Sequence, residues 1–170
     1  MTAWSDADHE SIWTPFDRAF RFRPSMSEWP GFDEPHESIP YHIGHAYGEP
    51  EHYEQVTLDL SRKLVRALRR CLAPDAFVYA LDWQHPTYRF WPHRPFEFAC
   101  EADWPIPALP NGDYHVFVEP NLSFGVLGHS WEQTMCVFGQ ALLGAFEIDM
   151  PLLFDRPLRV GGTPVERRSW

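Results

Sequence analysis

Three short segments combine acids and imidazoles with large aromatic rings: Leu81-Asp82-Trp83-Gln84-His85, Asn111-Gly112-Asp113-Tyr114-His115 and Gly128-His129-Ser130-Trp131-Glu132. Imidazoles and carboxylates move protons near neutral pH, so Asp82, His85, His129 and Glu132 are the candidate acids, bases or ligands. Trp83, Gln84, Trp91, Asp113, His115 and Trp131 would supply the flat walls and fixed polar groups of a binding pocket. The same residue types also build a buried, fully paired polar network that specifies a fold. Residue identity leaves both roles open.

Each candidate has a structural role beside its chemical one. Asp82 ends an expected strand and can accept hydrogen bonds from the turn that follows; alternation puts Asp82 and Gln84 on one face and Trp83 and His85 on the other. Asp113 directly follows Asn111-Gly112, a place where Asp bonds the turn backbone. His129 is expected just before a helix, whose dipole disfavours an imidazolium and leaves a neutral ring to act as base or ligand. His85, His93 and His129 are weak metal-ligand candidates, since their spacing matches no zinc pattern. Cys136 is expected inside that last helix as an inert core thiol. The chain has no GxSxG, Walker, GxGxxG or HExxH motif, so no cofactor is called for.

The elements that must position these residues follow from periodicity. Ile12, Trp13, Phe16, Ala19 and Phe20 are spaced for a short helix over 11–20, with Arg21-Phe22-Arg23 as a brief strand after it. Residues 24–40 hold four Pro and predict an irregular loop. Tyr41–Gly44 is a candidate short strand. Val56, Leu60, Leu64, Leu68 and Leu72 form an i, i+4 stripe, which predicts a long helix over 53–72 ended by Pro74. The period then drops to two. Strands are expected over 77–84, 88–91 with an extension at 96–99, 114–119 and 123–127, joined by turns into an antiparallel meander. Ser130-Trp131-Glu132-Gln133 matches a capping box and predicts a helix to Phe146, with Trp131, Met135, Phe138, Leu142 and Phe146 inward. The tail from Pro151 is expected to pack through Leu152, Leu153 and Phe154 and to fray at its end.

Composition bounds the rest. A chain of 170 residues, 44% hydrophobic and 16% aromatic, can bury a substantial core. The expectation is one domain over 1–170, with its core at 11–146 and a tail at 151–170. No basic leader precedes an apolar run, and no stretch is long enough to span a bilayer. The three Cys are widely spaced, as in a reduced cytoplasmic protein. The net charge of −10 is uneven: residues 1–60 carry twelve acids against three Arg. That balance repels nucleic acid and anionic membrane and attracts a basic partner.

The segments Tyr79–His85, Asn111–Phe117 and Gly128–Gln133, with Cys136-Val137-Phe138-Gly139, together resemble the DUF2716 family of uncharacterised bacterial proteins. The resemblance runs from about Trp13 to Phe146. The family pattern has Pro where this chain has Ser130 and Tyr where it has His115. The resemblance implies no activity. The expected architecture is α+β: an antiparallel meander against two main helices, with a short N-terminal helix and a Pro-rich loop across one edge. Two functions stay open. One is a non-catalytic acidic binding protein, of which an immunity protein neutralising a basic toxin is one form. The other is an enzyme or small-molecule binder with a Trp-, His- and Asp-lined pocket, metal-dependent in one version.

Overall fold

A computed structural model describes residues 1–96 and 104–166. Its centre is a seven-stranded antiparallel sheet in the order β1-β4-β3-β5-β6-β7-β2. The strands are β1 (Trp4–Ala7), β2 (Ser38–His42), β3 (Val78–Asp82), β4 (Thr87–Phe90), β5 (Tyr114–Val118), β6 (Gly125–His129) and β7 (Thr134–Phe138). Helix α1 (His9–Phe20) covers one face, and α2 (Pro50–Cys71) and α3 (Gln140–Ile148) cover the other. The tail adds a small hairpin, β8 (Arg159–Val160) with β9 (Thr163–Pro164). The α+β class expected from periodicity is the observed one.

The long i, i+4 stripe folds as its spacing demands. Val56, Leu60, Leu64 and Leu68 of α2 are sealed against the sheet. Each such side chain contributes about 1.5–3 kcal/mol by leaving water. Arg69 and Arg70 sit in the last turn, where cations complement the helix dipole. In α1, the Asp8 side chain accepts from the Ser11 N–H and caps the helix start. Ile12, Trp13, Phe16 and Phe20 then meet Leu81, Val116 and Phe138 on the opposite sheet face.

Four expectations need correction. The predicted helix from Ser130 does not exist: residues 130–133 turn the β6–β7 hairpin, Cys136 lies buried in a strand, and α3 starts only at Gln140. The local S-x-x-Q pattern loses because β5, β6 and β7 are buried at every residue. Strand β7, covered on both faces, reads as a continuous run without the alternation that would reveal it. Gly139 then separates strand from helix at φ 87°, where a Cβ would lie 2.4 Å from the Ser123 carbonyl. Second, Arg21-Phe22-Arg23 is no strand: Arg21 ends α1 in the left-handed region at φ 47°. Third, Trp4–Ala7 forms an edge strand that periodicity missed, with Trp4 stacked 4.3 Å from Phe90. Fourth, Leu153 and Phe154 are buried as expected, but Leu152 is exposed. The expected extension at 96–99 and the fraying at the end fall largely outside the described residues.

The tail also closes a sheet edge. The backbone of β2 bonds residues 156–161 through His42 N–H to Arg156 O, Leu158 N–H to Pro40 O and Gly161 N–H to Ser38 O. An edge covered in this way cannot template pairing with another chain.

Candidate functional site

The three polar segments come together at one end of the sheet. Asp82 ends β3, Tyr114 starts β5, His129 ends β6, and Asp82–His115 and Tyr114–His129 are cross-strand partners. Alternation then sorts them between the faces. Leu81 and Tyr114 belong to the core on the α1 side, while Ala80 and Phe117 belong to the core on the α2 side. Asp82, Asp113 and His115 share the parity of the latter pair.

On the α2 side a polar cluster surrounds Asp82. Its Oδ1 lies 2.8 Å from His85 Nδ1 and accepts from the Gln84 N–H at 3.3 Å. Its Oδ2 lies 3.4 Å from His115 Nε2. The other His115 nitrogen, Nδ1, lies 3.0 Å from the Pro107 carbonyl. Asp113 Oδ1 accepts from the Tyr114 N–H at 2.7 Å, and Oδ2 stands 3.8 Å from His85 Nδ1. Asp82, Asp113 and His115 are buried; His85 is exposed at the mouth. The tight turn brings His85 back over Asp82, so the strand alternation expected to separate their faces does not extend through it.

The two carboxyls are driven apart in acidity. Burial raises Asp82, but hydrogen bonds from His115 and His85 outweigh it and hold the group at about 2. Burial pushes Asp113 up, opposed by the Tyr114 N–H and reinforced by the neighbouring Asp82 charge. The bond to Asp82 raises the His85 imidazole. An ionised acid, a more protonated acid and an exposed imidazole in one cluster are groups chemically able to pass a proton or hold a ligand.

The α1 side holds a closed network. His129 Nδ1 accepts from the Glu132 N–H at 3.1 Å, so its proton sits on Nε2, which donates to the Tyr114 hydroxyl at 3.2 Å. That hydroxyl donates to the Ser25 carbonyl at 2.7 Å and accepts from the Ser25 N–H at 2.9 Å. Burial, helped by the Arg159 charge, lowers the His129 imidazole to about 4. The ring is neutral, as expected, but from burial inside a hairpin rather than from a helix dipole. Gly31 lets the Pro-rich loop cross closely: a Cβ there would lie 3.2 Å from the Tyr114 hydroxyl.

Glu132 is engaged beside it. Arg159 Nη2 reaches Glu132 Oε1 at 2.7 Å and Glu34 Oε1 at 2.8 Å, while its Nε spans both Glu34 oxygens. Thr134 donates to the other Glu132 oxygen. Ser130, read as a helix cap, instead donates to the Asp113 carbonyl and accepts from the Gly112 N–H, tying the two motif turns together.

Of the remaining candidates, Trp91, His93 and Gln84 stand apart from these networks, while Trp83 and Trp131 flank Tyr114. Trp91 lies past the far end of β4, under the Arg94 guanidinium at 3.8 Å. His93 contacts the Leu72 carbonyl beyond α2. The metal set His85, His93 and His129 is therefore not brought together. Gln84 is exposed. Trp131 lines a cleft of about 370 Å³ with Tyr47 and Pro110, and Trp83 a separate one of about 160 Å³ with His9 and Trp13. The two rings meet instead on Tyr114, with centroids 5.9 and 5.2 Å from its own. Sequence reading missed Arg159, Glu34 and Ser25. Their partners are distant in the chain, and no local spacing announces such contacts.

The chain belongs to a family described as a protein of unknown function (DUF2716), whose model matches residues 3–143. It is similar to an uncharacterised protein, YxiI, of Bacillus subtilis (strain 168). The two are 31% identical over 161 residues, covering 89% of this chain and 95% of that protein. No solved structure matches the chain. No helix among the described residues is long and apolar enough to cross a membrane.

Proposed function

We propose that this chain is a non-catalytic acidic binding protein, and that it takes a basic protein partner on the face formed by α1 and the loop over residues 21–37. The observation that carries this reading is the loop itself. Met26 and Trp29 leave 69% and 49% of their surface in water on either side of Glu28. Farther along the same loop, the exposed Glu37 lines a cleft of about 700 Å³, in which Asp33 and Glu34 are already paired with Arg21, Arg23 and Arg159. Trp and Met are favoured anchors at interfaces, and acid around them speeds encounter with a basic surface. An immunity protein that neutralises a basic toxin has this profile. The pocket reading in its four-residue form is not favoured, because His129 and Glu132 are committed to structural contacts.

The test is capture on the tagged full chain from its native cell, followed by titration with the recombinant partner at low and high salt. The expected result is a stoichiometric complex weakened by salt. Trp29→Ala and Glu37→Lys should each weaken it by about tenfold or more. If no protein is retained at low salt, or if both variants bind like the wild type, the reading fails.

A further inference from the structure

We propose that Asp82, His85 and Asp113 form a binding site for one divalent transition-metal ion of the zinc class. The inference is independent of the partner and the surface just described.

One ligand atom from each of the three residues lies within 4.8 Å of the others. In a tetrahedral zinc site with bonds of about 2.0 Å, neighbouring ligand atoms stand about 3.3 Å apart. Here His85 Nδ1 is 2.8 Å from Asp82 Oδ1 and 3.8 Å from Asp113 Oδ2, values that straddle that spacing. An ion among them takes the place of the proton that His85 Nδ1 donates to Asp82. Three protein ligands leave a fourth position, and His85 sits at the solvent side where water or a substrate oxygen would complete the shell.

The two carboxyls also meet. Asp113 is 4% exposed, and its carboxyl is hydrogen-bonded to that of Asp82. Two buried carboxyls in contact hold a proton between them, and a metal ion can take that proton's place.

The surroundings also hold the ligands in place. His115 binds the second oxygen of Asp82 and is itself held by the Pro107 carbonyl. The Tyr114 N–H fixes Asp113. Outer contacts of this kind orient metal ligands and set their affinity. The imidazole selects zinc and its neighbours over magnesium, which prefers oxygen ligands and keeps its waters.

The experiment titrates the full, chelator-treated chain with Zn²⁺ and, separately, Mg²⁺ by calorimetry. One equivalent of Zn²⁺ should bind, with Mg²⁺ much weaker. His85→Ala, at an exposed turn where the fold tolerates it, should weaken Zn²⁺ at least about tenfold, and His115→Gln should weaken it by about 10–100-fold. His52→Ala, an exposed imidazole on α2, should leave binding unchanged. Absence of Zn²⁺ binding, equal binding of Mg²⁺, or an affinity that His85→Ala does not lower would overturn the assignment.

Discussion

At one end of the sheet, the two faces use the same residue types to opposite ends. On the α1 side, His129 has both ring nitrogens engaged, by the Glu132 N–H and the Tyr114 hydroxyl, and is sealed from water. On the α2 side, His85 has one nitrogen on Asp82 and its ring in solvent. The difference is what covers each: His129 ends a strand, whereas His85 sits in the turn after one. Trp29 of the Pro-rich loop packs on His129 and Arg159 of the tail reaches Glu132, whereas Gln84, His85 and Pro86 of the β3–β4 turn are exposed. A histidine beside an aromatic ring and an acid is therefore a core strut on one face and a solvent-exposed imidazole on the other.

The comparison predicts a graded series of effects. Arg159→Leu should be the most damaging, at about 3–5 kcal/mol in urea unfolding, because Glu34 and Glu132 would stay buried without a cation. Next comes the pH dependence of the closed face. His129 binds its proton less readily folded than unfolded, so its contribution is fully present above the ordinary value near 6.5. It is lost as pH falls towards about 4. The wild type minus His129→Ala stability difference should shrink by up to about 3 kcal/mol across that window. A flat difference would mean that His129 is not the neutral strut described. Tyr114→Phe should cost about 1–3 kcal/mol, since the Ser25 N–H and His129 Nε2–H both lose their acceptor. On the open face, His85→Ala should change stability by less than about 0.5 kcal/mol. A larger loss would mean that the two faces are alike.

The legibility of the chain divides along the same line. Helix α2 and strands β3 and β5 were readable because one period dominates each of them. The Asp82–His85 and Asn111–His115 motifs were readable as polar segments at strand ends, and they do converge. Strand β6 was read at 123–127, but β7 and the turn before it were not. Met135, Phe138, Leu142 and Phe146 keep helical spacing across a strand, a glycine and a helix, and only the neighbours on both faces of β7 decide its state. Nor could spacing reveal which histidine would be sealed. That depends on Ser25, Gly31 and Arg159, which approach from segments that carry no period.

The bridge from Arg159 to Glu34 spans 125 positions in the chain, which sets an order on biosynthesis. Glu34 and Glu132 leave the ribosome well before the guanidinium that neutralises them. Until Arg159 emerges, the Pro-rich loop cannot settle against the β6–β7 turn without stranding two acids in a dry site. Completion of that region therefore waits for residue 159 to emerge. A nascent chain arrested before residue 159 should remain open to protease at residues 24–37 after α2 is already protected.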